Sequence, residues 1–222
     1  SFLLVVPLAV LALIWQRMSM VSLPHEGGVQ SSPLRLLARG PVALGMLAMF
    51  LLFGGQFAVF TYLRPYLAGA AGLSVPQISI GFLTLGLAGL AGTAVMGRLA
   101  GRYLFAPLIT VPAVLALIAV LMIWLHDVPV AVGALVVMWG LFSTAAPVGW
   151  GTWLARTLDR DAEAGGGLQV AVIQLAIMSG AAVGGLIFDG AGWQATFGTG
   201  AVLLVLASLT AALCSRAQGH SQ

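Results

Sequence analysis

The chain has 222 residues, of which 60% are hydrophobic and 7% charged, and its mean hydropathy is +1.07. Soluble domains carry roughly 25% charged residues, so this chain cannot cover a water-facing surface, which excludes a soluble enzyme or a nucleic-acid binder. The apolar content is far too high for a disordered chain. Net charge is +3, from nine arginines against six acids with no lysine, and a basic excess is also what membrane loops carry.

A helix needs about 20 apolar residues to cross a bilayer core. Runs without Asp, Glu, Lys or Arg cover 1–16, 41–63, 65–97, 103–125, 128–155, 164–188 and 190–215. Each holds one span. The third is too long for one, and Pro65, Pro76 and the glycines between them mark its start as a loop. Helices are therefore expected at 2–16, 42–63, 78–98, 104–125, 130–154, 167–188 and 193–214. The first is short and starts at Ser1, without the basic start and small-residue cleavage site of a signal peptide. It reads as the end of a helix cut short. The polar stretch 17–40, with Pro24, Gly27, Gly28 and Pro33, reads as a flexible linker. Leu34-Arg35-Leu36-Leu37 is expected to form a short surface helix before Pro41.

Charge sidedness tests the count. Alternating spans place Arg17, Arg35, Arg39, Arg98, Arg102, Arg156, Arg160 and Arg216 on one face and only Arg64 on the other. Basic loops stay cytoplasmic, so the linker, the 98–103 turn, the 155–166 loop and the C-terminal tail 217–222 are placed inside, and the turns near 64–77, 126–129 and 189–192 outside.

An offset of 88 residues aligns Pro41-Val-Ala-Leu-Gly45-Met-Leu47 with Pro129-Val-Ala-Val-Gly133-Ala-Leu135. The same offset aligns Gly92, Ala94, Val95 and Gly97 with Gly180, Ala182, Val183 and Gly185. Each unit holds three helices, an odd number, so 41–125 and 129–214 form an inverted pair within a six-helix bundle, 41–216. Gly97-x-x-x-Gly101 and Gly180-x-x-x-Gly184 have the spacing that lets membrane helices approach closely.

No acid sits in the middle of a span, so no proton carrier is visible there. Arg64 and Asp189 end two helices on the outer side and form a candidate gate pair; snorkelling explains them equally. Gln56 lies mid-span. Gln169 and Gln174 share a helix but lie about 140° apart around it. A buried amide in lipid needs partners, either another helix or a polar ligand. Trp139, Ser143, Ala146, Trp150 and Trp153 recur at steps of 4, 3, 4 and 3, which is one helical face. They either pack or line a cavity that stacks a flat ligand. Pro147 in the same helix predicts a kink. The single Cys214 allows no internal disulfide, and the scattered His25, His126 and His220 show no metal spacing.

The segments Gly54-Gly-Gln-Phe-Ala-Val-Phe-Thr-Tyr-Leu-Arg-Pro65, Trp139-Gly-Leu, Pro147-Val-Gly-Trp-Gly-Thr-Trp153 and Gln169-Val-Ala-Val-Ile-Gln-Leu175 resemble the second half of purine ribonucleoside efflux pumps. These belong to the drug:proton antiporter branch of the major facilitator superfamily. The turn Gly97-Arg-Leu-Ala-Gly-Arg102 resembles a degenerate copy of the superfamily's cytoplasmic Gly/Arg loop, without its acid; Arg98 and Arg102 are its candidate gate residues. The resemblance implies twelve helices in two six-helix halves. The fold class expected is thus an all-α membrane protein, the C-terminal six-helix bundle of a major facilitator fold plus a truncated preceding helix six, in a bacterial inner membrane.

The function implied is proton-driven export of purine ribonucleosides by alternating access, with the missing N-terminal half as partner and no cofactor. A base is flat and suits Tyr62, Trp139 or Trp150; its edge suits the amides of Gln56, Gln169 or Gln174, as Gln pairs with adenine elsewhere. The same residues suit a sugar or a planar drug. An intramembrane enzyme lacks its catalytic cluster, and a truncated product that does not transport is the remaining alternative.

Overall fold

The computed structural model describes Trp15 and residues 33–159 and 161–219. The expected helix 2–16 and most of the linker lie outside these residues, as do Arg17, Arg160, His25, His220 and the last three positions.

A single turn, α1 (Pro33–Leu36), precedes the first span and buries Leu36, so it is anchored rather than purely superficial. Helix α2 (Gly40–Phe60) starts where Arg39 takes an extended backbone and Pro41 enters the first turn, where its missing N–H is not needed. After Thr61 and Tyr62 the chain resumes as α3 (Leu63–Gly69), and Gly40–Gly69 forms one apolar stretch of 30 residues. This corrects the expected outer loop at 64–77. Pro65 lies in the first turn of α3, where proline is tolerated. The chain turns only near Gly72, whose φ of 62° suits glycine.

Helix α4 (Val75–Arg102) also starts earlier than expected. Pro76 sits in its first turn, and Gln77 Oε1 accepts from the Ser74 N–H at 2.8 Å, a side chain reaching back to cap the end. The helix runs on to Arg102, so Arg98 and Arg102 ride its last turns rather than a loop. Helix α5 (Phe105–Trp124) follows. The expected 130–154 span is two helices, α6 (Pro129–Ser143) and α7 (Ala146–Thr157). Pro147 offers no N–H to the Ser143 carbonyl, and the predicted kink is a break at Thr144 and Ala145.

The last element, α8 (Ala162–Gly219), is 58 residues long and non-helical only at Gly192, with φ 84° and ψ 175°. Thr196 Oγ1 donates to the Gly184 carbonyl at 3.3 Å, although twelve residues of straight helix span about 18 Å. The chain therefore doubles back at Gly192. The expected turn at 189–192 shrinks to that one glycine, and Asp189 lies within helix. Among the described residues five helical stretches are long and apolar enough to cross a membrane: Gly40–Gly69, Val75–Arg102, Phe105–Trp124, Pro129–Thr157 and Ala162–Gly219.

Contacts fix their directions. Helix α2 runs parallel to the first arm of α8: Gly54 meets Gly180, Ala58 meets Gly184, and Tyr62 stacks on Phe188. Helix α4 runs parallel to α6 and α7: Leu85 meets Gly140, Gly89 meets Thr144, and Met96 meets Gly149. The second arm of α8 runs antiparallel to α2, with Phe197 on Tyr66, Gly200 on Gly55, and Cys214 near Pro41.

Both parallel crossings are backbone contacts. A Cβ on Gly180 would collide with the Gly54 carbonyl, and one on Gly92 with the Leu141 carbonyl. Small residues permit such approach in lipid, where packing replaces the hydrophobic drive. Gly92 and Gly180 are the pair that the offset of 88 aligns. A cavity of about 230 Å³ lined by Gly92, Val95 and Met96 flanks the first crossing, and one of about 240 Å³ lined by Gly180, Val183 and Gly184 flanks the second. Gly97 and Gly101 meet nothing within 4 Å, so their close-approach spacing is unused among the described residues.

Candidate substrate site

Gln56 sits in the middle of α2, 8% exposed, and its Oε1 has no hydrogen-bond partner among the described residues. An unpaired buried amide carbonyl is costly, about 1–3 kcal/mol, and is the kind of group that a polar ligand satisfies. Phe60 follows one turn later on the same face. The rings of Phe57 and Phe60 meet edge-on at 5.9 Å, and Phe60 meets Phe82 of α4 edge-on at 6.5 Å. All three phenylalanines are half-buried. This set of rings escaped the sequence reading, which singled out tryptophan and tyrosine; the signal was Phe60, one helical turn beyond the amide.

The other expected residues scatter. Tyr62 is half-buried, donates its hydroxyl to the Ala181 carbonyl at 2.9 Å and stacks on Phe188 at 5.0 Å. Its polar handle is thus already spent on α8. The stripe of Trp139, Ser143, Ala146, Trp150 and Trp153 is buried throughout, so the face is real. Trp139 and Trp150 are 0% and 1% exposed, Trp150 meets Trp153 edge-on at 5.4 Å, and Trp153 covers Gly45. Of the two readings the stripe allowed, packing or a cavity lining, these positions match packing: here they fill the bundle core. The indole N–H of Trp139 has no partner among the described residues, and Trp153 lies against the Cys214 side chain. Gln169 is half-buried and Gln174 exposed, as their different azimuths require. Gln174 lies in line with Val170, Met178 and Ala182, all exposed, on a face of α8 that no other helix covers among the described residues.

The two ends of the bundle differ. Arg64 and Asp189 are both exposed, and the expected pair does not form: among the described residues the salt bridges are Arg39–Asp161 at 2.9 Å and His126–Asp127 at 3.1 Å. That end is closed by rings instead. Tyr66 is buried, donates to the Met122 carbonyl at 2.8 Å and packs on Trp193 at 5.0 Å and Phe197 at 4.8 Å. His126 packs on Trp193 at 5.2 Å. The aliphatic and aromatic ends of spans are ordinarily an interfacial belt, which hid this cluster in the sequence.

At the opposite end Arg98 and Arg102 are exposed. The cross-helix bonds there come from two arginines without an expected role, Arg39 to Asp161 and Arg156 to the Gly101 carbonyl at 2.8 Å. Gln218 also bonds Thr157 at 3.2 Å. Among the described residues six arginines, Arg35, Arg39, Arg98, Arg102, Arg156 and Arg216, share this end, and Arg64 sits at the other.

Apolar spans that alternate in direction, joined by short turns and segregated by charge, define a multi-pass membrane protein. Residues 46–220 match the model of the Major Facilitator Superfamily, and the chain belongs to that superfamily of transporters rather than to an enzyme class. It is 43% identical over 98% of its length to the transcription regulatory protein OpdE of Pseudomonas aeruginosa, covering 56% of that protein. It is 41% identical over 91% of its length to the purine ribonucleoside efflux pump NepI of Escherichia coli O1:K1, covering 51% of it. To the pump of the same name in Salmonella paratyphi C it is 40% identical, over 92% of this chain and 52% of the relative. The chain thus spans about half the length of the curated relatives it matches.

Proposed function

We propose that this chain is the C-terminal six-helix bundle of a proton-coupled exporter of purine ribonucleosides in a bacterial inner membrane. In this reading the two arms of α8 are separate spans, 41–125 and 129–214 are inverted repeats, and the arginine-rich end faces the cytoplasm. The doubling back at Gly192 and the two glycine crossings related by the offset of 88 support it. The observation that carries the substrate class is the 41% identity to purine ribonucleoside efflux pumps over 91% of the chain.

The mechanism follows from transporter geometry. Substrate binds near the bilayer midplane between two bundles that rock about it. Gln56 lies mid-span with an unsatisfied carbonyl, which accepts from an exocyclic amino group or a ring N–H of the base. Phe57, Phe60 and Phe82 offer the apolar wall that a flat ring stacks against. Gln174, on the exposed face of α8, meets the partner bundle or its cavity. Packing of Tyr66 on Trp193 closes the outer end, and Arg64 and Asp189 flank it.

Among the described residues the acids, Asp127, Asp159, Asp161, Glu163 and Asp189, all lie at helix ends or turns, so proton coupling is assigned to the other bundle. Labelled nucleoside uptake into inverted vesicles tests the proposal, with competition by a second purine nucleoside and by a sugar. The 43% identity to a transcription regulatory protein favours a second reading, in which the protein acts on transcription and moves no substrate. A transport assay with purified protein separates the two, because a purely regulatory protein moves nothing.

A further inference from the structure

At the arginine-rich end a cleft of about 610 Å³ opens between α2, α5, α7 and the end of α8. Arg39 and Arg156 line it, with the hydroxyl residues Thr157 and Ser215 and an apolar wall that includes Leu104 and Phe105. Neither arginine is saturated by its partner. One Arg39 nitrogen bonds Asp161 and one Arg156 nitrogen bonds the Gly101 carbonyl, whereas a guanidinium carries five N–H donors.

The sign of the field comes from these side chains. Two helix starts, of α2 and α5, and two helix ends, of α7 and α8, border the cleft, so their dipoles largely cancel. The charged side chains that line the cleft are both arginines, and Asp161 pairs with one of them. That matches a phosphodiester monoanion, which paired guanidinium forks hold well. The apolar wall decides the carrier. A free phosphate has nothing to place against Leu104 and Phe105, whereas a diacyl phospholipid sets its head on the arginines and its chains along the wall. A basic pocket at a span end lies at headgroup depth.

We infer that this cleft is a binding site for the headgroup of an anionic phospholipid, held by Arg39 and Arg156. It is independent of the substrate site, which lies at mid-span on α2.

The test uses the complete protein that contains this chain, purified in mild detergent, with native mass spectrometry to count retained lipid. The probes are phosphatidylglycerol, phosphatidylethanolamine and inorganic phosphate. Phosphatidylglycerol is expected to be retained selectively, and Arg156→Gln to lower its affinity about tenfold, the usual worth of a charged hydrogen bond. Arg102→Gln removes a charge from the same end outside the cleft and is expected to leave phosphatidylglycerol retention unchanged. Asp161→Asn frees Arg39 and is expected to tighten retention, where a merely structural ion pair would loosen it. Equal retention of the two lipids overturns the inference, as does an equal loss in Arg102→Gln and Arg156→Gln. Protection by inorganic phosphate as strong as that by phosphatidylglycerol overturns the lipid assignment.

Discussion

Gly180 of α8 lies directly against the Gly54 backbone of α2, with no room for a methyl group between them. The two helices touch main chain to main chain where the lipid supplies no hydrophobic drive, so close packing is what holds them.

Replacing Gly180 by leucine therefore forces the crossing apart. The expected cost is about 1–3 kcal/mol, the usual penalty of overpacking. Gly97→Leu, at a position with nothing within 4 Å, is expected to leave stability nearly unchanged. Thermal unfolding of the two variants in detergent checks the contrast, and equal melting temperatures contradict it.

Gln56→Leu separates site from scaffold. The Oε1 is buried and unpaired, so removing it relieves a desolvation cost, and the variant is expected to be as stable as the parent or more so. Nucleoside export is expected to weaken about tenfold, the value of one ligand hydrogen bond. A less stable variant with normal export would make Gln56 a structural residue.

Trp150→Leu is expected to act the other way. Trp150 is 1% exposed and packs on Trp153, so its truncation leaves a void costing about 2–4 kcal/mol. The melting temperature falls while the substrate KM of the surviving folded protein holds. A raised KM at unchanged stability would return Trp150 to the binding site.

Much of the fold was legible in the sequence. Charge-free runs located the five apolar helical stretches of the described residues, and Pro147 announced the break between α6 and α7. The tryptophan stripe gave the right face but not its environment, because burial within a bundle and exposure to a cavity share one period. Pro65 and Pro76 misled: proline marks a loop or a first helical turn alike, and Gln77 capping Ser74 decided for the turn. Gln56 was visible as a lone amide in an apolar run. The ring contact of Phe60 was not, since Phe82 comes from another helix. Nor could the Arg64 and Asp189 pairing be judged, because distance between helix ends is a property of the turns.

Topology is checked by thiol labelling in intact cells. Cys214 is buried, so background is low. An impermeant reagent is expected to reach Asp127→Cys and to miss Tyr103→Cys, both exposed and at opposite ends. The reverse pattern overturns the assignment of the arginine-rich end to the cytoplasm.

The central claim is export of purine ribonucleosides. Its most direct measurement is uptake of labelled inosine into inverted vesicles from cells expressing the complete open reading frame that encodes this chain, with and without a proton gradient. The account predicts gradient-dependent accumulation that guanosine competes and arabinose does not. No inosine movement, in a protein shown to be inserted and folded, would contradict it and leave a major facilitator bundle with another substrate.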